Sequence, residues 1–191
     1  MMRIITGSAK GKRLETLEGE ATRPTSERIK EAVFSAIQFD VEGRRVLDLF
    51  AGSGQMGLEA MSRGAECATF IDSSREAMEI VKKNAKLTGF FGKCHYLVSD
   101  YGNYIRKASG RDRFDLVFID PPYAAQCCAE AVGRLVRAKL IIPGAILVLE
   151  SGEEEIDMTD SRFFDFEVIK STHYGKKSTV NILFYKGDGE Q

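Results

Sequence analysis

The sequence predicts an α/β fold: a doubly wound, mostly parallel sheet with helices on both faces. Three observations predict it. Five apolar runs of strand length, at residues 46–50, 68–71, 96–98, 114–119 and 146–149, alternate with segments whose apolar residues recur at helical spacing. Two further runs, at 163–169 and 179–185, close the chain as a pair expected to be antiparallel. A glycine loop or an acid follows each of the first four runs, and parallel order would bring those four ends to one edge of the sheet.

At 191 residues the chain is expected to be one domain, 1–191, burying roughly 70% of its unfolded surface without disulfide or metal staples. Formal net charge is −1, so any nucleic-acid contact must rest on local charge. Cys67, Cys94, Cys127 and Cys128 form no Cys-x-x-Cys pair, and only His95 and His173 accompany them, so no metal site is expected. Reduced, buried thiols are the simplest state for them. The N-terminus lacks an apolar signal segment, and the stretch at 140–149 is broken by Pro143-Gly144 and too short for a bilayer. The chain reads as soluble and cytoplasmic.

Residues 1–22 read as a basic arm or hairpin. Arg3, Lys10, Lys12 and Arg13 precede any acid, and Gly7 and Gly11 punctuate two short β-capable pieces. Such an arm suits a phosphate backbone, although Glu15, Glu18 and Glu20 soon cancel its charge. Arg23-Pro24-Thr25-Ser26-Glu27-Arg28 then opens a helix: Pro24 disfavours helical geometry at Arg23, Thr25 or Ser26 can cap, and Glu27 suits the positive end of the dipole. Ile29, Ala32, Val33, Ala36 and Ile37 make its buried face, with Phe34 off that stripe. Arg23, Arg28 and Lys30 continue the basic character of the arm.

The first core strand, Val46-Leu47-Asp48-Leu49-Phe50, enters Ala51-Gly52-Ser53-Gly54-Gln55-Met56-Gly57 and a helix that ends near Gly64. The glycines permit close backbone approach to a ligand, and the helix start offers N–H groups. G-x-G-x-x-G alone is also a dinucleotide pattern. Asp48, four residues before Gly52, opposes a pyrophosphate and suits a cationic ligand with an amino group. Asp72 ends the second strand twenty residues after Gly52, the distance at which a βαβ unit sets an acid on ribose hydroxyls. Ser73 with Glu76 is expected to cap the next helix, leaving Asp72 for that role; the helix runs through Met78, Val81 and Ala85 to Gly89. Asp100, after the third strand, either recognises a ligand or caps the segment 101–108.

The fourth strand, Asp115-Leu116-Val117-Phe118-Ile119, delivers Asp120-Pro121-Pro122-Tyr123. Two prolines cannot donate to a ladder, so the strand stops at a rigid corner. That corner offers a carboxylate and a proline carbonyl as acceptors, with an aromatic ring beside them. Together they suit an exocyclic amino group on a flat ring. Its lone pair is delocalised, and two acceptors gripping its N–H bonds favour a pyramidal nitrogen. Tyr123 would stack on the base, a contact worth roughly 1–3 kcal/mol. A helical stripe at Ala129, Val132, Leu135 and Val136 follows. The loop His173-Tyr174-Gly175-Lys176-Lys177 between the last two strands is basic and aromatic.

Asp120-Pro-Pro-Tyr123 resembles the catalytic motif of S-adenosylmethionine-dependent amino-group methyltransferases. The whole chain is similar to the bacterial methyltransferases that modify a guanine N2 in small-subunit (16S) ribosomal RNA. The carriers are Arg23-Pro24-Thr25 with Glu31-Ala32-Val33-Phe34, Asp48-Leu49-Phe50-Ala51-Gly52-Ser53-Gly54, Gly57-Leu58-Glu59-Ala60 with Ser62-Arg63-Gly64-Ala65, and the Asp-Pro-Pro-Tyr. Gln55-Met56 departs from the small and leucine-like residues expected there. The resemblance implies a Rossmann-like class I methyltransferase fold, a seven-stranded sheet with an antiparallel C-terminal strand. It implies S-adenosylmethionine, without metal, on Asp48, Phe50, Ala51, Gly52, Ser53 and Gly54, with Asp72 on ribose and Asp100 or its neighbours at adenine. It implies ribosomal RNA, within a small-subunit or assembly particle, as the partner. Arg3, Lys10, Lys12, Arg13, Arg23, Arg28, Lys176 and Lys177 would grip phosphates. Adenine-N6 and protein glutamine-N5 methyltransferases use a similar corner, a nicotinamide oxidoreductase fits the glycine pattern, and a non-catalytic RNA-binding module could retain the fold.

Overall fold

Seven strands form one sheet in the order β3-β2-β1-β4-β5-β7-β6 in the computed structural model, which describes residues 2–17, 24–122, 127–152, 156–175 and 178–187. The strands are β1 (Arg45–Asp48), β2 (Cys67–Asp72), β3 (Cys94–Val98), β4 (Phe114–Ile119), β5 (Ile141–Ser151), β6 (Phe166–Tyr174) and β7 (Ser178–Tyr185). The helices are α1 (Pro24–Ala36), α2 (Gln55–Ser62), α3 (Arg75–Thr88), α4 (Tyr101–Ala108) and α5 (Cys128–Arg137). Strands β1 to β5 pair in parallel, and β7 runs antiparallel to both β5 and β6. The expected antiparallel C-terminal strand is β7. Order reverses between β1 and β4, the switch point at which open α/β sheets form their ligand crevice.

Alternation along the strands divides the interior into two cores. Val46, Phe70, Leu116, Phe118 and Val148 face Ile29 and Val33 of α1, Leu58 and Met61 of α2 and Met78, Val81 and Ala85 of α3. Leu47, Ile71, Val117, Ile119 and Leu149 face Tyr104 and Ile105 of α4 and Val132 and Leu135 of α5. Near-continuous apolar strands such as β4 follow from cover on both sides. Phe34, off the predicted stripe of α1, is fully buried with its ring 5.7 Å from that of Phe118, tying α1 to the strand that ends at Asp120.

Several boundaries differ from the expectation, three of them with a clear cause. Strand β5 starts at Ile141 rather than 146, running through Pro143 and Gly144. Pairing with β4 passes from Phe114–Ile141 to Leu116–Ile146, so the proline lies in a bulge where no ladder donor is needed. Arg44 holds that bulge by donating from Nη1 to the carbonyls of Gly144 (2.8 Å) and Asp115 (2.9 Å). Strand β6 starts at Phe166 because residues 161–163 form a short 3₁₀ turn capped by Asp160, and it runs on to Tyr174, so that His173 and Tyr174 of the expected loop are strand residues paired with Thr179 and Ser178. Helix α3 is capped by Ser74, whose side chain accepts from the Ala77 N–H at 3.2 Å, and not by Ser73 with Glu76.

The N-terminal arm is a hairpin packed on the domain. Arg3 bridges Arg13 in antiparallel fashion, and Met2, Ile4, Ala9 and Leu14 are buried in the core under α1 and α2. Gly7, at φ +87°, lies so close to the backbone of Ser62 that a Cβ there would overlap the Ser62 carbonyl. Glu59 of α2, fully buried, accepts from the N–H groups of Ile5 (2.7 Å) and Thr6 (3.0 Å) and from Arg63 Nε (2.8 Å). Lys30 is fully buried rather than part of the basic surface: its Nζ donates to the Arg3 carbonyl at 2.6 Å and lies 3.9 Å from Glu59. Burial pushes the Lys30 ammonium below the usual lysine range, against the pull of Glu59.

Candidate active site

The parallel order places the ends of β1, β2, β3 and β4 on one edge, and with them Asp48, Asp72, Asp100 and Asp120. Asp48 is opposite Phe70 on β2 and Phe118 on β4, so the glycine loop and the Asp-Pro-Pro corner leave neighbouring strands. Leu49 N donates to the Phe118 carbonyl at 3.0 Å, which fastens the start of the loop to the strand bearing Asp120.

The loop is held by its acids. Asp48 is buried and accepts from the Gly57 N–H at 3.0 Å. Asp72 accepts from Gly52 N at 2.9 Å through one oxygen and from Ser74 N at 2.8 Å through the other. The capping role expected to fall elsewhere is therefore shared by Asp72, and a ribose would engage lone pairs beyond these two. Gly52 and Gly54 adopt φ of +52° and +78°, which disfavours a side chain at either. Gly57 is required for packing: a Cβ there would overlap the Phe70 ring.

A buried amide that the sequence reading passed over joins arm and loop. Asn84 of α3 is fully buried, donates from Nδ2 to the carbonyls of Ser53 and Glu15 (2.9 Å each) and accepts from Glu15 N at 2.8 Å. Its signal was position: it lies three residues after Val81 and one before Ala85, on the buried stripe of the helix.

The loop fits a polar, cationic ligand such as S-adenosylmethionine. Ser53 Oγ and Gln55 Oε1, on adjoining turns of it, are buried with no hydrogen-bond partner among the described residues, and the Asp48 carboxylate lies at its base. Phe50 packs against Tyr101, ring centroids 5.3 Å apart, forming a wall beside Asp100. Burial, helped by donation to Glu130 at 3.1 Å, pushes the Tyr101 phenol up to about 12. Asp100 caps α4 by accepting from Asn103 N at 2.9 Å, and that bond holds its carboxyl below the usual range. Capping and ligand recognition were alternatives for Asp100; the cap is formed.

Asp120 is exposed at the mouth of a cleft, Pro121 is buried and Pro122 exposed. Ile29, Val33, Met56, Phe118 and Val148 wall the cleft, and Glu150 stands at its rim with Asp120. Met56 connects it to the glycine loop, so the departure noted at that position borders the acceptor side. Tyr123 lies outside the described residues, as do Arg23, Lys176 and Lys177. Of the remaining basic residues, Lys10, Arg13 and Arg28 are exposed, whereas Arg3 pairs with Glu27 at 3.0 Å and Lys12 donates to the Leu87 carbonyl at 2.6 Å.

A family model described as Conserved hypothetical protein 95 matches residues 2–185. YlbH of Bacillus subtilis, provisionally named an rRNA methyltransferase, is 32% identical over 189 residues, covering 98% of this chain and 100% of its own. Ribosomal RNA small subunit methyltransferase D of Escherichia coli K12 is 30% identical over 154 residues, 80% of this chain and 76% of its own. Among solved structures, yhhF of Escherichia coli, provisionally named a methyltransferase, superimposes with a TM-score of 0.84 at 26% identity over 98% of this chain and 99% of its own.

Proposed function

Because this chain belongs to the Conserved hypothetical protein 95 family, with the ribosomal RNA small subunit methyltransferases D among its relatives, we propose that it methylates the exocyclic N2 amino group of a guanine in 16S ribosomal RNA. The observation that carries this reading is the placement of Asp120 at the end of the strand next to the one that enters the glycine loop, on a cleft formed by α1 over β4, β5 and β7. S-adenosylmethionine, when bound, supplies an electrophilic methyl group on a sulfonium.

The chain's own residues divide the work along the sheet edge. Asp48 and the backbone from Phe50 and Ala51 to Gly54 hold the amino-acid part of the cofactor, Asp72 its ribose and the region of Asp100 its adenine. Across the strand boundary, Asp120 and the Pro121 carbonyl accept from the two N–H bonds of the target amine. The lone pair is thereby drawn out of conjugation and aimed at the cofactor side. Tyr123 stacks on the base, which must leave its own helix to enter the cleft. Positioning is the main contribution, since well-oriented reactants gain roughly 7–11 kcal/mol. Arg3, Lys10, Lys12, Arg13, Arg23, Arg28, Lys176 and Lys177 make up the phosphate-binding set, with Lys10, Arg13 and Arg28 its principal described members.

Incubation of unmodified small-subunit particles, naked ribosomal RNA and DNA with labelled methyl donor, followed by mass mapping of nucleosides, tests the reading. The expected product is N2-methylguanosine at one position of the small-subunit RNA. Label on adenine N6, on protein glutamine or on DNA alone would overturn it.

A further inference from the structure

Two carboxylates share the cleft, and the amine-holding role uses only one of them. The last register pair between β4 and β5 is Ile119–Leu149, so Asp120 and Glu150 are the next residues along adjacent parallel strands. Neighbouring strands lie roughly 4.8 Å apart, and matched residues of a parallel pair point to the same face. Phe118 and Val148, two residues earlier on each strand, both face α1 and wall the cleft, which sets Asp120 and Glu150 on that face as well.

Glu150 is fixed in place. Ser178 Oγ donates to its Oε1 at 2.9 Å, and its carbonyl accepts from the Cys128 thiol at 3.7 Å. Its residue on β7 is Val180, whose side chain also lines the cleft. The result is a half-buried acceptor, oriented by a hydroxyl, at the rim of an apolar slot one strand away from the amine-holding corner.

We propose that Glu150 is a specificity-determining residue that accepts a hydrogen bond from guanine N1–H. This inference rests on the guanine-N2 reading and deepens it. On the Watson–Crick edge of guanine, N1–H lies beside the 2-amino group, and N3 lies on its other side; in the proposed pose the amine sits at Asp120 and N1–H is turned toward the adjoining strand. With the Ser178 hydroxyl fixing the carboxylate through Oε1, a carboxylate oxygen on the cleft side would accept from that donor. Adenine entering by its 6-amino group presents an N1 lone pair instead. A carboxylate then meets an acceptor, both are left without a donor, and the base is rejected.

2-Aminopurine keeps the 2-amino group, replaces N1–H with a bare lone pair and lacks O6; the loss of O6 is common to wild type and variants, so a change in the guanine to 2-aminopurine ratio between them reads the contact at N1. Small-subunit RNA carrying guanine or 2-aminopurine at the mapped position is assembled into particles. Single-turnover transfer is then measured for the wild type, Glu150→Gln and Ser178→Ala. A glutamine amide can donate to the N1 of 2-aminopurine, whereas the native carboxylate cannot. The guanine preference of the wild type should therefore fall by about 10- to 100-fold in Glu150→Gln, the factor carried by one mismatched buried hydrogen bond. A smaller fall is expected in Ser178→Ala, which keeps the carboxylate and loses its orientation. Calorimetric binding of S-adenosylmethionine within about twofold of wild type in each variant excludes a folding defect as the cause. A guanine to 2-aminopurine ratio equal in wild type and both variants overturns the role of Glu150 and leaves the guanine-N2 reading standing. No transfer to guanine particles by the wild type overturns both.

Discussion

Asp48, Asp72 and Asp100 each accept from backbone N–H groups of the loop or helix that follows: Gly57, Gly52 with Ser74, and Asn103. A substitution at any of the three disturbs local folding together with ligand binding, so the two effects arrive together. Asp120 is placed differently, exposed at a corner whose backbone is stiffened by Pro121 and Pro122. Asp120→Ala should therefore separate chemistry from binding. We expect labelled-methyl transfer to fall by about 10³-fold, within the range for loss of one positioned polar group. The calorimetric affinity for S-adenosylmethionine should stay within about twofold of wild type. Transfer at the wild-type rate would remove Asp120 from the amine-holding role. Asp120 was legible because proline chemistry and strand termination are local. The Ser74 cap was less so: Ser73 and Ser74 are both good caps by residue type, and Asp72 decides between them by reaching the Ser74 N–H.

The N-terminal hairpin and α2 show how an element can carry more than its pattern reveals. Hairpin formation followed from Gly7 and Gly11, but a solvated arm and a packed one have the same local signals. Deciding between them needs Glu59, which reads as an ordinary helix-surface acid and instead takes two hairpin N–H groups in the core. Lys30 likewise reads as surface charge and is buried against it. Polar residues on the buried stripe, Lys30 beside Ile29 and Val33 and Asn84 between Val81 and Ala85, were the visible clue, and their partners lie 27 to 69 residues away in the chain. Removing one partner leaves the other charge buried without compensation, which costs about 3–5 kcal/mol. Glu59→Ala should therefore lower the unfolding free energy by about that amount in urea titration. An effect below about 0.5 kcal/mol, the range of surface substitutions, would mean that Glu59 is hydrated in solution.

At the scale of the whole molecule, topology makes the site. Four strand ends from residues 48 to 120 converge because the first five strands are parallel, and that much was legible from apolar runs alternating with helical stripes. Which residues share the acceptor cleft was not legible, since it depends on the register of β4, β5 and β7 and on α1 lying across them. That same helix joins the cleft to the basic arm: Ile29 and Val33 line the cleft, and Glu27 pairs with Arg3.

With a net charge of −1, the molecule has no global attraction for RNA, so affinity must come from this one side. Arg3 is paired with Glu27, Lys30 is buried and Lys12 is tied to the Leu87 carbonyl, leaving Lys10, Arg13 and Arg28 as the exposed cations of the arm and α1 without such a tie among the described residues. Each phosphate contact contributes about 0.7–0.9 to the slope of log affinity against log salt. The double variant Lys10→Ala/Arg13→Ala should therefore flatten the slope for small-subunit RNA by about 1.4–1.8, with the larger loss of affinity at low salt. Fluorescence anisotropy between about 50 and 200 mM salt reads both quantities. A slope unchanged by the double substitution would shift the phosphate-binding role away from the hairpin, because charge that leaves counterions in place does not touch the backbone.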